Sequence, residues 1–269
     1  MSIYERSVRS LLTDGVIAND SKVLVACGGD TDALALNHCG LTNVLISNLD
    51  DGRSNGIGDY GWQRADAEKL PFADKAFDLG IIHQGLHHCQ SPHLGLIELM
   101  RVARNVLVIE ARDSFLMNLA VDLGFGVEYE IESVALYNDG KGDGGGLRNS
   151  AVPNFIYRWT EREVRKTVET AYPERVHELR FFYDLFLPDE RISMASAPKR
   201  AAYRVAALGV KLAFKFLPKQ GNRFAFAILD TGKDKPWITR KDGRPVYDMA
   251  YDPGFDASKY VREQVDYLK

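Results

Sequence analysis

The chain of 269 residues is predicted to fold as an α/β domain on a seven-stranded, mostly parallel sheet with helices on both faces. Three observations carry that expectation. The run Leu79 to Ile82 is short and wholly apolar, as a strand buried on both faces must be, and it stops abruptly at His83. Ser91-Pro92 then opens a helix whose apolar side includes Leu94, Ile97, Leu99 and Val102. Upstream, Lys22 to Ala26 form a second such strand, and Cys27-Gly28-Gly29-Asp30-Thr31-Asp32 make the turn into a helix starting near Ala33. Glycines let a backbone approach a ligand closely, and the free N–H groups at a helix start suit a carboxylate or phosphate.

The elements follow in order. Ile3, Tyr4, Val8, Leu11 and Leu12 stand at helical spacing over residues 3–13 and define a leading helix. After the glycine turn and its helix, Asn43 to Ser47 are the second strand, followed by the polar Asn48, Asp50 and Asp51. A Gly-rich stretch leads to a short third strand at Gln63 to Ala65, whose end presents Asp66. Leu79 to Ile82 are the fourth strand and Val106 to Ile109 the fifth, bordered by the polar Glu110-Ala111-Arg112. Asp113-Ser114 cap a helix from Phe115 to Leu123 that ends at Gly124. Residues 125–158 carry five glycines between 140 and 146, held between aromatic anchors, and read as a lid or binding loop. Thr160-Glu161-Arg162-Glu163 reads as a capping box opening a helix to about Ala171. Val176 to Leu187 are the sixth strand and Arg223 to Leu229 the seventh. Between them lies a helical insertion, 189–220, and beyond them a C-terminal extension, 233–269, with a Gly/Pro-rich connector and an amphipathic final helix from Ser258 to Leu268. One domain is expected, its core spanning 20–188 and 221–232.

Composition narrows the function. At 45% hydrophobic residues the chain can bury a full core, and a net charge of −3 gives no global attraction for nucleic acid. Three scattered cysteines favour a reducing compartment, and no run approaches the roughly 20 apolar residues of a membrane span, so a cytoplasmic protein is expected. From Lys199 to Lys219 there are six bases and no acid, with Arg200, Arg204, Lys211 and Lys215 on one stripe of an otherwise apolar helix. Such a helix suits peripheral contact with an anionic membrane, a cap over a lipid-linked substrate, or a homodimer interface.

The stretch Asp66 to Arg104 resembles the type-11 group of class I S-adenosylmethionine (SAM) dependent methyltransferases. The resemblance rests on Asp66-Ala67, Leu70-Pro71-Phe72, Phe77-Asp78, Leu86-His87-His88 and Glu98-x-x-Arg101-Val102. It implies a Rossmann-like sheet whose sixth and seventh strands form an antiparallel hairpin, with SAM as cofactor at the carboxyl ends of the strands. Asp66 and Ala67 are then expected to hold the adenine. The glycine turn departs from the family's acid and G-x-G-x-G: Val25 stands for the acid, Cys27 for the first glycine and Thr31 for the third, while Gly29 matches and Gly28 falls between. Asp32 is a substitute for the missing carboxylate. A carboxylate about 20 residues after the glycine turn suits the ribose hydroxyls, and Asn48, with Leu49 beside it, or Asp50 can take that place.

The resemblance further implies methyl transfer. An oxygen acceptor must lose a proton, for which an imidazole is the natural base; His88 and His83 are the candidates, with Gln84 beside the methionine end of SAM. His83, His87, His88, Cys89 and His93 match no zinc spacing, so no metal is expected. A sugar, glycan or small natural product is the expected acceptor, met by His87, Tyr137, Asn138, Asp139, Arg148, Asn149 and Tyr157. Two alternatives stand beside this reading: a SAM-binding scaffold that transfers nothing, and an NAD(P)-dependent oxidoreductase, which the lack of GxGxxG disfavours.

Overall fold

The computed structural model describes residues 1–50, 54–124, 126–138, 145–187, 196–252 and 254. Asp139, the expected helix Ser258 to Leu268, and the side chains of Tyr137 and Asn138 lie outside the described residues. Seven strands form one sheet in the order β3-β2-β1-β4-β5-β7-β6. These are β1 (Val23–Ala26), β2 (Val44–Asn48), β3 (Gly61–Arg64), β4 (Phe77–His83), β5 (Ala103–Ala111), β6 (Arg175–Asp184) and β7 (Arg223–Asp234). The first five pair in parallel, and β7 runs antiparallel to both β5 and β6, so that it lies between them.

Period-two alternation splits the core into two layers. Val23 and Val25 face α1 (Ile3–Thr13) and α2 (Asp30–His38), packing with Ile3, Val8, Leu11 and Leu36. Leu24 and Ala26 face α3 (Pro92–Val102) and α6 (Glu161–Ala171), packing with Leu96, Leu99, Val164 and Trp159. Chain reversal between β1 and β4 puts the topological switch point at the carboxyl ends of the central strands, where open α/β sheets bind ligands.

Several expectations are corrected. The buried side of α3 is Gly95, Leu96, Leu99, Met100 and Val102, whereas Leu94 is exposed and Ile97 half-buried, because the helix packs on β4 and β5 through a face rotated from the one periodicity suggested. No loop separates α3 from β5, since Ala103 is both helix cap and first strand residue. At α6 only half of the capping box forms: Thr160 Oγ1 accepts from Glu163 N at 3.1 Å, while the Glu163 carboxylate accepts from the Tyr157 hydroxyl and faces His93 Nε2 at 3.3 Å. The segment expected as a loop over 125–158 contains α5 (Ile131–Asn138) and a 3-10 turn, Leu147–Asn149. Beyond β7 the connector folds into a hairpin of β8 (Ile238–Lys241) and β9 (Arg244–Tyr247), reversed at Asp242-Gly243, where both residues have positive φ. The helical insertion becomes one long helix, Ala197–Phe216, lying near α4 (Phe115–Asp122).

Candidate active site

The ends of β1 to β4 converge on a cavity of about 800 Å³. Two chain crossings there are tight enough to exclude a side chain. A Cβ on Gly28 would lie 2.6 Å from Val25 Cγ1, and one on Gly85 would lie 2.4 Å from Cys27 Cβ. Cys27 and Gln84, which border these glycines and line the cavity, adopt φ of 54° and 51°. Left-handed backbone at two non-glycine residues in one cavity is the local strain that binding sites retain.

Every residue expected to hold the cofactor lines this cavity except Asp32. Asp32 is buried behind it: its Oδ2 accepts from Gly29 N at 2.9 Å, and its Oδ1 faces His83 Nδ1 at 3.4 Å. It therefore shapes the glycine turn as a helix-start carboxylate and does not reach into the cavity. His83 points the same way, packing at 5.0 Å from the buried ring of Tyr4, and lines no cavity with His88.

Asn48 closes the rim, donating to Gly28 O at 3.2 Å and accepting from Leu49 N at 2.7 Å. Asp66 Oδ1 accepts from Glu68 N at 3.0 Å, and its Oδ2 takes the Arg148 contact described below. Glu68, overlooked in the sequence, also lines the wall, where its carboxylate accepts from Gln90 N and Ser91 N. Arg148 and Asn149, expected at the acceptor, reach these same groups. Arg148 donates to Asp66 at 2.7 Å and to Glu68 at 2.9 Å; Asn149 donates to Asp50 at 2.7 Å and to Asn48 at 3.1 Å. Any adenine or ribose binding there must exchange with these two side chains. Tyr157 stays away, its ring against His93 and Trp159.

Gln84 is shared with a second cavity of about 890 Å³, which holds His87, Glu130, Arg158 and Arg223. The His87 and His88 rings lie 4.5 Å apart, tilted by 37°, with His88 lining the first cavity and His87 the second. His87 Nδ1 lies 2.7 Å from Glu110 Oε2, and its Nε2 lies 3.6 Å from Glu130 Oε1. Burial alone would depress the His87 pKa, but the carboxylates of Glu110 and Glu130 outweigh it and raise it to about 10. His88 shifts the other way, pushed down by burial and by the adjacent His87 charge. Its Nδ1 lies 3.2 Å from Gly146 O, which assigns the proton to Nδ1 and the lone pair to Nε2, 3.4 Å from Glu130. One ligand atom from each of His87, His88 and Glu130 lies within 4.8 Å of the others. Without an ion these groups pair with one another, His87 with Glu110 and Glu130 and His88 with Glu130.

Because the folded-state pKa of His87 exceeds its ordinary value of 6.5, its contribution to stability is complete below that value and is lost as pH rises through about 10. An NMR titration of the imidazole carbons is expected to show His87 still protonated at pH 8 and His88 neutral at pH 7. A neutral His87 at pH 8 contradicts this network.

Residues 25–106 match the type-11 family model, described as a methyltransferase domain. No curated protein sequence matches the chain. Among solved structures, magnesium protoporphyrin IX methyltransferase of Synechocystis PCC 6803, crystallised with bound S-adenosylhomocysteine (SAH), is similar over 85% of this chain and 82% of its own, at 13% identity and a TM-score of 0.50. The YcgJ protein of Bacillus subtilis is similar over 84% of this chain and 99% of its own, at 13% identity and a TM-score of 0.49. At such identity the first of these speaks to the fold alone. The strand order and the cavity at the switch point are of the kind that the methyltransferase-domain match over residues 25–106 implies, with SAM as the cofactor.

Proposed function

We propose that this chain binds SAM in the cavity lined by Cys27, Asn48, Asp66 and Gln84, and methylates an oxygen of a small natural-product acceptor in the neighbouring chamber. The observation that carries this is the wall shared at Gln84, with His88 on one side of it and His87 on the other, which sets a pocket with paired acids for an adenosyl group beside a pocket that can admit an acceptor. The donor set fits the cofactor: Asp66 for an exocyclic amine, Asn48 and Asp50 for vicinal hydroxyls, and a glycine turn that lets backbone come close. Bound there, SAM supplies an electrophilic methyl on a positively charged sulfur.

The chain's own residues supply alignment and proton removal. Gln84 and the His87 imidazolium orient the acceptor at the junction, and the neutral His88 takes the hydroxyl proton on Nε2; the methyl would leave the sulfur for that oxygen, with neutral SAH as the leaving group. Glu130, 3.4 Å from that nitrogen, steadies the imidazolium formed. Arg148 and Asn149 hold the acids of the cofactor side until an adenosyl group takes their place.

The test is calorimetric titration with SAH. Asp66→Ala is expected to weaken binding at least tenfold, about 1.4 kcal/mol. An unchanged dissociation constant would mean that the cofactor lies elsewhere. Saturable SAH binding with no methyl transfer to any hydroxylated acceptor favours the non-catalytic scaffold, and binding of NAD(P)H without SAH favours the oxidoreductase.

A further inference from the structure

The second chamber has an unusual charge balance. Arg158 and Arg223 line it together with His87, whose charge Glu110 and Glu130 already balance. Among the described residues Arg158 donates to backbone carbonyls, those of Val127 and Ile156. The Arg223 guanidinium lies 4.4 Å over the ring of Phe186. Among the described residues no carboxylate forms an ion pair with either arginine; Asp113 and Glu128 act on Arg158, and Asp184 and Glu110 on Arg223, only through longer-range attraction. Half-buried guanidinium groups rarely go without an anionic partner, since burial costs solvation that only a bidentate acid repays.

The same chamber opens, through Met117, Phe186 and Asn222, into a cleft of about 920 Å³ between α4 and the long helix. This cleft is apolar, walled by Leu116, Leu119, Leu185, Ala206 and Val210. α4 buries none of its residues fully, and Phe115 is 72% exposed, so this helix is not needed as core and is free to serve as a wall. A cationic head site continuous with a hydrophobic slot describes one chemical class of ligand.

We propose that the acceptor is an amphiphilic acid, its carboxylate or similar oxyacid group held between Arg223 and Arg158 and its apolar chain lying in the cleft between α4 and the helix Ala197–Phe216. This rests on reading the Arg223 chamber as the acceptor site. The acid group is an anchor that orients the molecule, with the chain excluding water from the cleft.

Calorimetry with decanoate as probe, below its micellar concentration and with SAH present, tests the assignment. One decanoate per chain is expected to bind saturably, with acetate at least tenfold weaker for want of a chain and decyltrimethylammonium at least tenfold weaker for want of an anion. Arg223→Gln is expected to weaken decanoate at least tenfold while leaving the SAH dissociation constant unchanged. Ala206→Phe, which fills the cleft from the opposite side, is expected to do the same without altering any charge. No binding of decanoate to the wild-type chain, equal binding of the cationic amphiphile, or indifference of decanoate to both substitutions overturns the proposal. Saturation by vesicles of anionic phospholipid with none by monomeric decanoate also overturns it, in favour of a membrane surface. SAH titration in the same experiment separates the two readings, because failure of SAH alone to bind the wild type counts against the cofactor assignment and not against this one.

Discussion

Replacing Glu110 by alanine is expected to cost the fold about 3–5 kcal/mol, the largest loss of any substitution in the site. Glu110 is the penultimate residue of β5, with its side chain fully buried. One carboxylate oxygen accepts from Leu86 N at 2.7 Å and the other faces His87 Nδ1 at 2.7 Å. Removing it strands a buried imidazolium and a backbone donor together, each of which lost its water on folding. The His87 charge must then be given up, so the pKa raised by Glu110 falls and the turn from Gly85 to His88 loosens. Urea unfolding at pH 7 checks this, with Glu110→Gln as the milder companion that keeps an acceptor for Leu86 N. A loss below about 1 kcal/mol for alanine would show that the ion pair is not holding this turn.

His88→Ala is expected to lower turnover by about a hundredfold or more while changing SAH affinity much less, as befits a lost general base. The assignment does not depend on position alone. His88 lines the cofactor cavity, its Nδ1 is engaged by Gly146 O, and its pKa is held below the ordinary value, so it is the free base at neutral pH. Turnover is therefore expected to fall as pH drops below the ordinary imidazole range and to be level at neutral pH. His87→Ala keeps that base and should retain the fall, moved to higher pH because the His87 charge that helps to depress His88 is gone. Steady-state rates across pH for both variants, on an acceptor hydroxyl that the wild type methylates, decide the matter. Wild-type turnover in His88→Ala ends its role as base.

What the sequence made legible was the part of the site built from contiguous motifs. Strand ends followed by small or polar residues (Cys27-Gly28-Gly29, Asn48, Asp66-Ala67, Gln84) are local signals, and these residues share one cavity because parallel strands bring their carboxyl ends to one edge. Groups that arrive from distant segments left no such signal. Glu130 is one acid among several in a variable stretch, Glu110 looks like a solvated strand end, and Arg223 looks like a strand start. Only tertiary packing sets Glu110 under the His87 ring and Glu130 beside it. Arg148 and Asn149 were visible as polar ligands, but which pocket they serve depends on the left-handed backbone at both residues, with φ of 52° and 55°, which turns them toward Asp66 and Asp50. His83 was misleading for a related reason. The strand that carries it alternates sides, and the pleat aims its ring at Tyr4 and Asp32 beneath the sheet edge.

A crystal structure of the chain with SAH tests the central claim most directly. Adenine density against Asp66 with Arg148 withdrawn, ribose density at Asn48 and Asp50, and a sulfur directed toward Gln84 and His88 is the expected result. Density for SAH in any other cavity, with Arg148 still on Asp66, would contradict it.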